Sequence, residues 1–313
     1  MNFKTLIFSL LLLFNLSCES SLNPIKSDKK NVVVSIAPYH YFVERIAGSL
    51  VNIHTIVPPG ASPHSYEPPP QSMKGWSNAQ LWITCGESFE KKISPVLLDH
   101  NPKLLVCDSL EGLSLLTESC CHDSSHHHHH SEACSHNSTH HHVHAHNHDA
   151  LDTHVWLSPR LAKIQAQHIA KYLMQAFPKH RDEFKQGLQE FLTDLNEADE
   201  AIEQQLRSSQ GRAIFVSHPA FAYFCQDYGL KQFSLEQEGK DPLPKQLISL
   251  MNSARKENIQ HIYLQKQYNN KPALCVAEEL DITTLFVDPY SSDYLNNLKD
   301  IAQKFSLEVN PKQ

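Results

Sequence analysis

Between Pro178 and about Ser208 the chain has no convincing helix breaker, only Gly187, and Phe184, Leu188, Phe191, Leu195, Ile202 and Leu206 recur at helical spacing. Roughly thirty residues at 1.5 Å each make a rod of about 45 Å, longer than most helices that lie within one lobe. Such a helix constrains everything around it: the segments before and after are expected to form two separate units that it joins. The length of 313 residues allows this, because it exceeds a typical single domain and can bury two modest cores.

Each flanking segment alternates short apolar runs with helical patterns. Before the rod, "NVVVSIAPY" reads as a strand and "HYFVERIAGSL" as a helix. Strands "VNIHTIV", "AQLWITC" and "KLLVC" follow, the first two separated by a proline-rich loop. "SPRLAKIQAQHIAKYLMQAF" opens with Ser158 as a cap and Pro159 at the first helical position, and directs Leu161, Ile164, Ile169, Leu173 and Phe177 toward a core. After the rod come strand "RAIFVS", helix "AFAYFCQDYG" closed by Gly229, helix "LPKQLISLMNSARKEN", strand "IQHIYL", helix "KPALCVAEEL", strand "TTLFV" and helix "DYLNNLKDIAQKF". The expected fold class is therefore α/β: two small parallel-sheet lobes, residues 31–177 and 209–313, joined by one long helix over 178–208.

The N-terminus places one lysine before an apolar run of about ten residues ending at Cys18, too short for a membrane span. This resembles a bacterial lipoprotein signal peptide, although Asn15 stands where such signals usually carry leucine. Residues 1–18 are read as the signal, with lipidation expected at Cys18, and residues 19–30 as a polar tether. The protein is then expected in the periplasm or on the outer face of the bacterial cytoplasmic membrane. The net charge of −7 arises from 34 acidic and 27 basic side chains with no basic stripe, which argues against nucleic acid as a partner.

Thirteen of the 22 histidines lie between His122 and His148, mixed with Ser, Asn, Asp and Cys. Residues 120–149 hold too little aliphatic and aromatic surface to form a packed core and are expected to be a disordered loop whose clustered imidazoles capture metal weakly. Cys120, Cys121 and Cys134 fall in this segment without zinc-finger spacing. Cys85, Cys107, Cys225 and Cys275 sit in apolar-periodic surroundings and read as small core residues, with disulfide pairing left open.

In open α/β sheets, ligands bind beyond the carboxyl ends of the strands. His64 lies in the loop after the second strand, and His154 precedes the Ser158-Pro159 helix start. His218 follows "AIFVS" and Asp288 follows "TTLFV". Three imidazoles and a carboxylate suit a divalent transition metal, and three histidines favour zinc over manganese. His40, His54, His100, His168, His180 and His261 are read as ordinary surface or strand residues.

"GASPHSYEP", "DTHVWLSP" and "SHPAFAYF", with "VDPYSSDYLNNL" near the C-terminus, together resemble the cluster A-I solute-binding proteins, the metal receptors of zinc and manganese ABC transporters. The resemblance runs in order from about residue 31 to 305. It implies two α/β lobes bridged by a long helix with the metal between them, and His64, His154, His218 and Asp288 as ligands. Histidine at 218, where manganese and iron receptors of the family usually have glutamate, points to the zinc branch, as does the His-rich insertion. Pro63 stands where some zinc members supply a glutamate, leaving Asp288 or water as fourth ligand. Gln265 occupies a common glutamate position, which bears on the hydrogen bonding behind the site.

The implied function is extracytoplasmic capture of Zn²⁺ by a monomer that delivers it to a membrane permease with its ATPase. A manganese or iron receptor of the same family and a surface metal-buffering or adhesive lipoprotein are the alternatives. An enzyme is not expected: no HExxH helix is present, and no carboxylate has motif support as a general base.

Overall fold

In the computed structural model, which describes residues 30–117, 151–236 and 242–308, the first β-branched run is β1 (Lys30–Val34). It leads into α1 (Ala37–Ala47), whose Pro38 sits in the first turn, where a missing N–H costs no helical bond. There follow β2 (Val51–Thr55), α2 (Pro70–Trp76), β3 (Leu81–Thr84), α3 (Ser88–His100) and β4 (Leu105–Asp108). The four strands form one parallel sheet in the order β2-β1-β3-β4. After the undescribed segment come α4 (Pro159–Ala176) and α5 (Arg181–Leu206). The second sheet is built from β5 (Ala213–Val216), β6 (Lys231–Ser234), β7 (His261–Leu264) and β8 (Thr283–Phe286), again all parallel, in the order β6-β5-β7-β8. Its helices are α6 (Ala222–Tyr228), α7 (Pro244–Lys256), α8 (Lys271–Leu280) and α9 (Tyr294–Phe305).

Each sheet is covered on both faces, as parallel sheets require. Trp76, Phe89, Ile93 and Leu97 cover the outer face of the first sheet, and Leu250, Ala254, Ala273 and Val276 the outer face of the second. The inner faces share one continuous core: Val32, Val34, Leu81 and Ile83 at one end, Ile214, Val216 and Tyr263 at the other, with Phe42, Ile169, Phe191, Leu195 and Phe305 between them. The two lobes are thus welded through helices rather than strung on a free linker.

The long helical stretch is present in three pieces. Short 3-10 turns at Pro178–His180 and Arg207–Ser209 flank the 26-residue α5, about 39 Å long. It packs against α1, α4 and α9, so it belongs to both lobes. Gly187 is there for close approach: a Cβ at this position would lie 2.3 Å from the carbonyl oxygen of Ile46 and 2.9 Å from that of Arg45, at the end of α1. Arg45 itself ion-pairs with Asp194 and lies over the Phe191 ring.

Several expectations need correction. The short, polar β6 and the helix α3, with Pro95 in its interior, went unread; β6 is an edge strand whose existence depends on pairing with β5, not on its own pattern. Ser158 caps α4 as expected, its Oγ accepting from the Leu161 N–H at 3.0 Å. Ile164, however, is exposed, and Ala162, Gln165 and Ala166 are buried in its place, the two alanines being small and Gln165 donating its amide N–H to the Tyr39 hydroxyl. Cys85, Cys107, Cys225 and Cys275 are free thiols, and Cys275 is exposed. The signal, Cys18, the tether up to residue 29 and the His-rich residues 120–149 lie outside the described residues. Among the described residues no helix is long and apolar enough to cross a membrane.

Candidate metal centre

Among the described residues, the segments that follow β2, β3, β5, β6 and β8 carry polar residues that meet at one site. His64 lies on a turn after β2, held by hydrogen bonds from Ser65 N to Ser62 O and from Tyr66 N to Pro63 O. His218 follows β5 by two residues. His154 precedes a 3-10 turn, Val155–Leu157, that feeds α4. These three imidazoles, 5.0, 5.2 and 5.3 Å apart between ring centroids, form a nearly equilateral triangle. Their nitrogen donors lie within 4.8 Å of one another.

Each ring has a carboxylate behind it. His64 Nδ1 is 2.8 Å from Glu87 Oε2, His154 Nδ1 is 2.8 Å from Asp152 Oδ1, and His218 Nδ1 is 2.9 Å from Glu236 Oε2. A carboxylate accepts, so each Nδ1 carries the proton and each Nε2 presents a lone pair to the cleft, the arrangement that orients metal-bound histidines. The Nε2 atoms of His64 and His218 are 3.2 Å apart. Two acceptor lone pairs facing at that distance repel unless a cation lies between them. The separation matches the edge of a tetrahedron with metal–nitrogen bonds of about 2.0–2.1 Å.

The surroundings hold these rings in place and favour the neutral form of His218. Burial holds the His218 imidazole well below its usual pKa, and the neighbouring His154 and His64 add to the shift. Its ring stacks on Tyr268 at 3.9 Å. Burial alone would raise the Glu87 carboxyl, but the hydrogen bond from His64 and the neighbouring imidazoles bring it below the usual range. Gly86, at φ +87°, makes the turn that brings Glu87 to His64. Its N–H and that of Cys85 are tied to Glu90, each at 2.8 Å.

Asp288 is not brought together with the three histidines. Its Oδ1 accepts from Gln267 Nε2 at 2.7 Å and from the Tyr290 N–H at 2.9 Å, so the carboxylate shapes the loop after β8. The Tyr290 hydroxyl, 3.1 Å from His154 Nε2, reaches the cluster instead. Gln265 keeps a role in place of glutamate: Oε1 accepts from the His218 N–H at 2.8 Å, and Nε2 donates to the His218 carbonyl at 3.0 Å. Glu67, beside His64 in sequence, is exposed and pairs with Lys92. Glu87, Asp152 and Glu236 were not anticipated. Glu87 and Glu236 follow the ends of β3 and β6, so the strand-end rule that singled out the histidines reaches them too. Asp152 stands in a local D-x-H spacing.

The sequence model of ZnuA, the periplasmic component A of the zinc-uptake complex, matches residues 32–306. A Chlamydia trachomatis serovar D protein, named for metal binding with no metal specified, is 29% identical over 297 residues, covering 95% of this chain and 98% of that protein. The zinc-binding lipoprotein AdcA of Streptococcus pneumoniae strain R6 is 26% identical over 290 residues, 92% of this chain and 55% of AdcA. Among solved structures, a crystal structure of ZnuA superposes with a TM-score of 0.77 at 31% identity, covering 90% of this chain and 99% of that one. A ZnuA variant lacking residues 138–173, with zinc bound, gives a TM-score of 0.78 at 30% identity, covering 91% of this chain and 100% of that one. With the two welded α/β lobes and three imidazoles converging between them, these matches show that the chain belongs to the ZnuA family, the extracytoplasmic metal-binding components of ABC importers, and is not an enzyme.

Proposed function

We propose that this protein captures Zn²⁺ through the Nε2 atoms of His64, His154 and His218 and presents it to the membrane permease of an ABC importer. The observation that carries this reading is the triad itself: three converging imidazoles, each with a carboxylate on Nδ1. A set of three nitrogens suits tetrahedral zinc with water in the fourth position, whereas manganese favours more oxygen. The zinc-binding name of AdcA and the zinc-bound ZnuA variant support the choice of metal. Asp288, engaged by Gln267 and Tyr290, is left out of the ligand set. Anchoring by a lipid at Cys18 agrees with the lipoprotein name of the pneumococcal relative. The His-rich residues 120–149 act in this reading as a weak local store that feeds the cleft when zinc is scarce.

The test is zinc affinity measured against a competing chelator for the intact protein, for a form lacking residues 118–150, and for His64→Ala, His154→Ala and His218→Ala in that shortened form. Losing one of three ligands is expected to weaken binding at least 100-fold, the upper range seen for outer-shell changes alone. Deleting 118–150 is expected to leave the tight site intact. Alanine variants that stay within a few-fold of the parent, or a tight site that vanishes with residues 118–150, would place zinc elsewhere.

A further inference from the structure

Asp152 is 2% exposed and holds His154 twice, its Oδ1 accepting from the His154 N–H at 2.9 Å and from Nδ1 at 2.8 Å. Its own backbone is held in turn. Thr117 and Leu151 are joined by an antiparallel bridge. Beside them the Asp152 N–H donates to Leu116 O at 2.8 Å. The hydroxyl of Tyr223 lies across this neck, accepting from the Leu116 N–H at 2.9 Å and donating to Asp152 O at 2.7 Å. Tyr223 stands on α6, five residues after His218 in the opposite lobe, and is 3% exposed.

We propose that Tyr223 is a positioning residue for metal binding: from the lobe of His218 it fixes the backbone of Asp152, and through Asp152 it aims the Nε2 of His154 at the cleft. One hydroxyl satisfies the part-buried N–H of Leu116 and the C=O of the buried Asp152, and removing it leaves both without that partner. The loop then relaxes, and the carboxylate that orients His154 relaxes with it. Burial pushes the phenol up to about 12, so the hydroxyl keeps its proton for Asp152 at any pH at which the protein works.

This inference rests on His154 being a ligand, and the experiment separates the two claims. Full-length Tyr223→Phe, Asp152→Asn, the double variant, His154→Ala and Tyr228→Phe are compared for zinc affinity against a chelator, for zinc dissociation rate, and for the visible spectrum of the Co²⁺-loaded protein. Tyr228 lies on the same helix, but its hydroxyl bonds Asp199 away from the site, so Tyr228→Phe reports general loosening of α6. Tyr223→Phe is expected to weaken zinc about tenfold, as outer-shell changes do, through faster dissociation, and to shift the cobalt bands. Tyr228→Phe should do neither, and adding Tyr223→Phe to Asp152→Asn should weaken binding no further. An unchanged cobalt spectrum and affinity in Tyr223→Phe, or full additivity in the double variant, overturns the inference. Tight zinc retained by His154→Ala would instead overturn the ligand assignment.

Discussion

A neutral imidazole ligates and a protonated one does not, so at the residue scale the site is governed by what keeps each ring neutral. His218 is buried beside two other imidazoles, and both effects lower its pKa. A histidine whose folded pKa lies below the unfolded value of about 6.5 contributes stability that is present above that value and is lost as pH falls toward the folded one, because the unfolded chain takes up the proton first. For zinc, the same shift means that protons compete poorly at His218. Zinc in the cleft is therefore expected to persist at about pH 6, where an unperturbed imidazole is already largely protonated. A pH titration of bound zinc should give two separate losses in the full chain and only the more acidic one in the form lacking residues 118–150; a single common loss would contradict this. His64 and His218 were legible in the sequence because they follow strand ends, and His154 because it precedes a capped helix start. Glu87 and Glu236 were not, since their pairing with His64 and His218 spans 23 and 18 residues and depends on strand order.

At the scale of elements, α5 shows where periodicity succeeds and where it stops. Six apolar positions revealed the helix, but nothing local explained Gly187, which in an exposed helix interior is unfavourable by about 0.5–1 kcal/mol relative to alanine. Its explanation is tertiary: the backbone of α1 passes where a side chain would be. Gly187→Ala is thus expected to lose more from the clash with the Ile46 carbonyl than it gains in helix propensity. The net cost should be about 1–3 kcal/mol, the usual range for overpacking, read as a lower denaturant midpoint of the metal-free protein. A raised midpoint would mean that the α1–α5 crossing can open at little cost. Strand β6 and helix α3 escaped the pattern for the same kind of reason. β6 alternates exposed and buried residues over only four positions, and Pro95 in the interior of α3 reads as a helix breaker in the sequence.

At the scale of the whole molecule, the two sheets repeat one topology, β2-β1-β3-β4 and β6-β5-β7-β8, and present their strand ends to a common cleft across a continuous core. The class of fold was readable from alternating patterns and one long helix. The welding of the lobes was not, because it comes from contacts of α5 with α1, α4 and α9 that no single segment encodes. His154 makes the consequence concrete. It stands before α4, yet Trp156 Nε1 donates to Pro289 O at 2.8 Å and the Tyr294 hydroxyl to Trp156 O at 2.5 Å, so its segment is tied to the second lobe. The central claim is that imidazoles from both sides of the cleft share one zinc ion. Zinc-edge X-ray absorption on the protein lacking residues 118–150, loaded with one equivalent of Zn²⁺, tests it most directly. The account predicts four light-atom ligands at about 2.0–2.1 Å, with outer-shell scattering that fits three imidazoles; sulfur ligation, or scattering that fits fewer than three, would contradict it.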